Sequence, residues 1–263
     1  MLHLGIGMVR AGAPGGGSVP FRPEAQAVIA AMTTPPTEQR QGEINALVAV
    51  LQDAAVWNRV GVLYVFAAHD QQAALINWKA PAGTPALATG SPPFTADRGF
   101  VGDNTAAHID TQVAWNAVPG LAQDDAHMGV YASISVGSAT VAGQVTGANA
   151  TISRNAGAFA TRLHNAAAGN GGMIGTTPLH LCMSRAASVG YDRYVDGAFD
   201  TTHTVASEAP STGNLTGLRS NTAFAPSNVS LRAMHAGASL SAGQAAAMAG
   251  AIAAYMAAVG ANA

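Results

Sequence analysis

The sequence predicts a mainly-β protein: a β-sandwich or jelly roll, preceded by a helical segment and closed by a C-terminal helix. Three observations carry that prediction. Runs rich in β-branched and aromatic residues recur at roughly ten-residue spacing from Val60 onward, with Gly and Pro between them. Stretches of helical apolar periodicity flank that region on either side. The chain, at 263 residues, has room for one large β domain with helical additions.

Residues 1–22 read as an arm. Gly12-Ala13-Pro14-Gly15-Gly16-Gly17-Ser18 is flexible by composition, and Pro20 and Pro23 punctuate its end. An arm of this kind can reach onto a neighbour in an assembly; the plainer alternative is a disordered tail. A helical lead-in follows over residues 23–57. Pro23-Glu24 opens its first helix, with Val28, Ile29 and Met32 available for burial. Thr34-Pro35-Pro36-Thr37-Glu38 restarts the chain with a cap and a first-turn proline. Ile44, Leu47, Val48, Leu51 and Ala55 then form one apolar stripe, and Glu38, Gln41, Asn45 and Gln52 fall on the other side. Trp57 ends the helix and is expected to pack in the core.

The sandwich is expected over residues 58–263. Strands are predicted at 60–66, 127–136, 159–163, 179–184, 191–195, 199–205 and 229–235. The clearest alternation is in 127–136, where Met128, Val130, Ala132, Ile134 and Val136 share one face. Tyr131, Ser133 and Ser135 share the other, the pattern of a sheet with one face in a core. Asp196-Gly197 reads as a tight hairpin turn, and Gly169-Asn170-Gly171-Gly172 as a loop. The closing helix, 241–259, begins with a capping box, Ser241 with Gln244. Met248, Ile252, Tyr255, Met256 and Val259 form its apolar face, and Gly260 ends it.

Charged residues make up 10 % of the chain, against about a quarter in ordinary soluble domains. Such a surface suits a protein partly covered by neighbours; a Gly/Ala-biased genome explains the composition equally well. The formal net charge of −2, with Lys79 the only lysine and the arginines scattered, argues against nucleic acid as a partner. A lone cysteine, Cys182, excludes an internal disulfide and a multi-cysteine zinc site, and reads as a small packed residue. Residues 1–8 are apolar but short, and Arg10 follows them, so no signal peptide is expected. Residues 245–259 are too short to span a bilayer and are broken by Gly250, so no membrane insertion is expected.

Three segments carry a family resemblance. The first is Ala67-Ala68-His69-Asp70-Gln71-Gln72-Ala73-Ala74-Leu75, with Phe94-Thr95-Ala96-Asp97-Arg98-Gly99-Phe100 and Asp110-Thr111. It resembles a segment of tail, fibre and spike-like structural proteins of tailed bacteriophages and related particles. Leu181-Cys182-Met183-Ser184-Arg185, then Tyr191-Asp192-Arg193-Tyr194-Val195-Asp196-Gly197, resembles the strand, loop and hairpin of concanavalin-like, laminin-G-type sandwiches. Ala238-Ser239-Leu240-Ser241-Ala242-Gly243-Gln244, through Tyr255 and Gly260, is similar to the closing helix of the same module.

The resemblance covers about residues 24–260 and implies a concanavalin-like jelly roll. It also implies a virion structural protein, a tail, fibre or head-spike component assembled in the host cytoplasm. The implied partners are other virion proteins, further copies of this chain (a trimer being one homo-oligomer) and a cell-surface glycan. Gln112-Val113-Ala114-Trp115 departs from the Gly, aromatic, Asn and Pro usual in the family's loop. No legume-lectin calcium pattern matches, so no metal residue is carried over.

His69-Asp70 has the composition of a base with its carboxylate, but neighbours on a helix diverge by about 100°. A helix start at Asp70 is simpler. His108 and Asp110 share a strand face without an identifiable third metal ligand, which favours a cross-strand polar pair. Asp124, Asp125 and His127 form a polar turn, and Asp192, Asp196, Asp200 and Glu208 lie in or near turns. No nucleophile elbow or phosphate loop is present. No catalytic residue, metal or cofactor is therefore expected. Trp115, beside Asn116 and ahead of Pro119-Gly120, is the candidate for stacking on a sugar, the alternative being a loop anchor.

These readings predict a non-enzymatic virion protein that binds host-surface glycans. A glycan-cleaving enzyme on the same sandwich is one alternative, and needs two facing acids in a cleft. A purely architectural decoration or joint protein is the other.

Overall fold

The computed structural model describes residues 20–133, 139–144, 150–155, 158–173, 178–219 and 228–261. Helix α1 (Pro23–Ala30) starts at Pro23, where a missing N–H leaves no bond unmade. Helix α2 (Glu38–Asp53) is capped by the Thr37 hydroxyl, which accepts the Arg40 N–H. Strand β1 (Val60–Val65) and the short α3 (Gln71–Ala74) follow. Strands β2 (Leu87–Thr89), β3 (Phe94–Thr95), β4 (Gly99–Val101), β5 (His108–Ala114) and β6 (Ala126–Ser133) come next. The chain continues through β7 (Ala139–Gln144), β8 (Ala150–Asn155), β9 (Ala158–Leu163) and β10 (Gly169–Met173). Strands β11 (Leu179–Ala187), β12 (Gly190–Val195), β13 (Ala198–Thr204), β14 (Asn214–Gly217) and β15 (Ser230–Gly237) lead to α4 (Ala242–Ala258).

The strands form two antiparallel sheets. The first runs β13-β12-β11-β6-β15-β4-β3, with β1 also paired to β15; the second runs β10-β9-β8-β7-β14-β5-β2. Strand β15 hands its free edge from β4, at Ser230 and Leu231, to β1, from Ala233 to Gly237. This is the jelly-roll sandwich that the sequence predicts, with its helical lead-in and closing helix.

The facing surfaces interlock through apolar packing and a few buried polar bonds. Met128, Val130, Leu181, Met183 and Met234 of the first sheet are fully buried, as are Ile109, Val141, Ile152, Phe159 and Leu215 of the second. The Tyr64 hydroxyl donates to the Thr111 carbonyl, Tyr191 to that of Thr161, and Arg185 Nε to that of Leu163, at 3.3, 2.7 and 2.9 Å. Each bond crosses between sheets and satisfies a group that burial would otherwise penalise.

Helix α4 packs on β11, β13 and α2, and α2 carries α1. Both halves of the Ser241–Gln244 capping box form, and Gly260 ends the last turn at φ +72°. Trp57 is buried, and Cys182 is a packed thiol pushed up to about 12 by burial. Arg40 ties three elements together through Glu43, Asp97 and the Tyr255 hydroxyl. Among the described residues no helix is long and apolar enough to cross a membrane.

Four local expectations are corrected. Both faces of β6 are buried, and later chain closes on the side that carries His127, whose ring bonds the Ala238 carbonyl. Residues 134–136 of that predicted strand lie outside the described residues. Residues 169–172 belong to edge strand β10, since backbone groups alone pair it with β9. The stretch 112–114 continues β5, with Gln112 at φ +58°. Asn45 is buried: its side chain accepts the Arg22 N–H and donates to the Pro20 carbonyl, pinning the start of α1 to α2.

Gly129 fits tightly against a histidine side chain: an added Cβ would sit 2.3 Å from the His235 ring. Gly129→Ala is expected to lower stability by roughly 1–3 kcal/mol through overpacking. A urea unfolding midpoint equal to that of the parent would refute the contact.

Candidate functional site

A cleft of about 430 Å³ opens where β11 and β12 meet the chain entering α4. Ser184, Val189, Asp192, Tyr194, Thr202 and Ser241 are among its lining residues. Cross-strand register puts Asp192 opposite both Ser184 and Thr202, so their side chains share the face that carries α4. Asp192 accepts from the Thr202 hydroxyl at 2.6 Å and from Tyr194 at 3.4 Å. Two carboxylate lone-pair positions remain for a ligand donor.

Phe199 pairs with Tyr194 across β12 and β13 and meets it edge-on, with ring centroids 6.1 Å apart. Its side chain is 59 % exposed. An open aromatic face beside hydroxyls and a carboxylate suits a ring that is apolar on one side and hydroxylated at its edge. The sequence holds a signal for Phe199: in Ala198-Phe199-Asp200-Thr201-Thr202-His203-Thr204 it is the one large apolar residue, directly after the Asp196-Gly197 hairpin.

Trp115 does not take that role. It is fully buried, and its indole N–H donates to His164 Nε2 at 2.8 Å. His164 Nδ1–H then donates to the Gln123 carbonyl at 2.7 Å. Trp115 thus anchors a loop, because a neutral imidazole behind it consumes the only polar atom of the indole.

The remaining expectations resolve locally. Asp70 caps α3 by accepting the Ala73 N–H, and His69 meets the Thr34 carbonyl. Asp110 accepts from Asn214 across the β5–β14 pair, while His108 turns to the Ala106 carbonyl. Asp125 binds Arg59 and the Ser239 N–H, and Asp124 binds Ser207. A second cleft, of about 330 Å³, includes Lys79. That ammonium is committed, donating to the Trp57 carbonyl at 2.8 Å and lying 4.1 Å from the centre of the Trp57 ring.

The sequence reading missed a row of histidines beneath α4. His127, His235 and His180 stand on adjacent strands β6, β15 and β11, with successive ring centroids 5.1 Å apart. All three are buried. His127 Nδ1–H donates to the Ala238 carbonyl, and His180 and His235 share one proton between Nε2 atoms 2.8 Å apart. Whichever ring accepts carries its own proton on Nδ1, where neither ring has a partner. Such an orphan donor costs about 1–3 kcal/mol. No group of three or more metal-ligating side chains among the described residues is placed to hold an ion.

Burial lowers all three. His127 falls to about 4, with Arg59 adding to the shift and the Ala238 carbonyl and Asp125 opposing it. His180 falls to about 3, pushed further by His127, and His235 falls well below its ordinary value.

No protein-family model and no curated protein sequence matches the chain. Solved structures do. A Trypanosoma rangeli sialidase in complex with sialic acid aligns over 78 % of this chain and 38 % of its own, at 11 % identity and a TM-score of 0.54. The binding domain of botulinum neurotoxin serotype D aligns over 74 % of this chain and 52 % of its own, at 7 % identity and 0.56. The binding domain of botulinum neurotoxin DC, in complex with rat synaptotagmin II, covers the same shares at 9 % identity and 0.56. This chain therefore spans about half the length of those structures or less, and the likeness is one of fold, a β-sandwich.

The histidine row fixes a pH dependence. Above the unfolded value of about 6.5 neither state binds these protons. As pH falls toward 4, the unfolded chain takes them up and the folded chain does not, so stability drops. Each imidazole contributes about 1.4 kcal/mol per pH unit in that window. Urea midpoints should hold level from pH 7.5 to about 6.5 and fall from there to pH 5; a profile flat over the whole range would show that the folded protein charges the row freely.

Proposed function

We propose that this chain is a non-enzymatic glycan-binding sandwich. In this reading it is a virion structural protein, a tail, fibre or head-spike component working as a homo-oligomer. The observation that carries the binding reading is Phe199, more than half exposed and packed edge-on against Tyr194, which with Asp192 and Thr202 lines the cleft. The virion setting rests on the resemblance of residues 67–111, 181–197 and 238–260 to phage structural modules.

The cleft chemistry favours binding over cleavage. Hydrolysis by paired carboxylates needs two acids about 5–9 Å apart. Asp192 is the one carboxylate among the residues lining the cleft. Tyr194 is a poor nucleophile, because burial and then the Asp192 charge push its hydroxyl up, away from the phenolate.

A glycan array with the full chain tests this reading, and a reducing-sugar assay on the bound glycans tests for cleavage. Phe199→Ala is expected to weaken binding by roughly tenfold, about 1.4 kcal/mol, with an unchanged unfolding midpoint. Silence across the whole array would leave an architectural role. Sugar release would replace the lectin with a hydrolase. For the setting, particle density that places the chain inside a capsid would defeat surface binding.

A further inference from the structure

We infer that the cleft selects uncharged glycans and turns away sialylated ones, with Asp192 setting the choice. The inference rests on the glycan-binding reading and goes on to name the ligand class.

The distribution of charge around the cleft is one-sided. Asp192 is the one charged side chain among its lining residues. Strands β11 to β13 carry two cations, Arg185 and Arg193, and both point between the sheets at 0 % and 1 % exposure. Arg185 Nε is bonded to the Leu163 carbonyl and its Nη1 to the carbonyls of Ala187, Ser188 and Val205. Arg193 is paired with Asp200 at 2.5 Å. Neither guanidinium reaches the outer face. Asp196, exposed in the neighbouring hairpin, adds a second negative charge on that side, and α4 has no charged residue in its first turn.

The hydrogen-bond chemistry points the same way. An ionised carboxylate accepts only, at about four lone-pair positions. Thr202 and Tyr194 fill two of them, which leaves Asp192 able to receive two sugar hydroxyls. A hydroxyl can donate there. A sugar carboxylate at neutral pH can only accept, so it brings a like charge to a lining that holds no cation; Arg59, bonded to Ser239 beside the cleft wall, is already paired with Asp125 at 2.6 Å. At such separations the repulsion gives a discrimination of at least roughly tenfold, weakened by salt.

The experiment uses the full chain on an array of matched pairs, each neutral glycan beside its sialylated form, at low salt and at 0.5 M salt. The expected result is at least tenfold preference for the neutral member, narrowing at high salt. Asp192→Asn should bring the two members of a pair within about threefold. A sialylated form bound as well as its neutral partner by the parent protein overturns the selection and leaves the binding reading standing. Absence of binding to every glycan removes both. An undiminished preference in Asp192→Asn, or one that does not respond to salt, overturns the electrostatic assignment. The salt arm reads the parent protein alone, so it holds whether or not the variant folds.

Discussion

Burying both faces of β6, β11 and β15, and the inner face of β12, removes water from most polar groups on those strands, and much of the structure answers that constraint. On the inner face, Tyr191 and Arg185 bond to backbone carbonyls of β9. On the outer face, Ser184 both donates to the Leu240 carbonyl and accepts its N–H, at 2.7 and 2.8 Å. His127 takes the Ala238 carbonyl, and His180 and His235 take each other. Helix α4, which packs on β11, carries no ionisable side chain except Tyr255 and so offers a charged imidazole no partner. Neutral histidines are the form that such an interface can hold.

The parts of the fold fixed by local rules were legible in the sequence. Pro23, the Thr37 cap, the Ser241–Gln244 box and the Asp196-Gly197 turn act within a few residues of themselves, and each stands where its pattern puts it. Strand β10 was not legible, because Gly169-Asn170-Gly171-Gly172 has loop composition and only the edge of β9 makes it a strand. Both-sided burial of β6 was hidden for a related reason. Alternation reports which side chains are apolar, and it says nothing of chain that returns more than a hundred residues later to close on the polar face, as Ala238 does on His127. The histidine row shows that limit plainly, since His127, His180 and His235 are brought together by register between strands distant in sequence.

The exchange of Trp115 for Phe199 has a physical cause. An indole offers a large apolar surface and one donor, so a fold that supplies a buried acceptor gains more from enclosing it than from exposing it. His164 is that acceptor, and it lies forty-nine residues away along the chain. Phe199 has no polar atom to satisfy, and it sits on edge strand β13, most of whose residues are exposed. Context decided both positions. The more conspicuous aromatic became an anchor and the less conspicuous one became surface.

The cleft inherits its rigidity from the same stitching. Its wall at Leu240 and Ser241 belongs to a connector held at four points: His127 on Ala238, Asp125 and Arg59 on Ser239, and Ser184 on Leu240. Beyond it, the capping box fixes the first turn of α4, and Gln244 reaches the Ala55 carbonyl. On the opposite side, Asp192 is already held by Thr202 and Tyr194. A ligand entering this cleft meets side chains whose rotamers are settled before it arrives, so little ordering cost is charged against binding. In the proposed binding mode, weak individual contacts, such as one ring stacked on Phe199 and two hydroxyls on Asp192, then sum to a measurable affinity. In the proposed virion setting, copies arrayed on a particle would multiply that affinity further, because each later attachment becomes intramolecular.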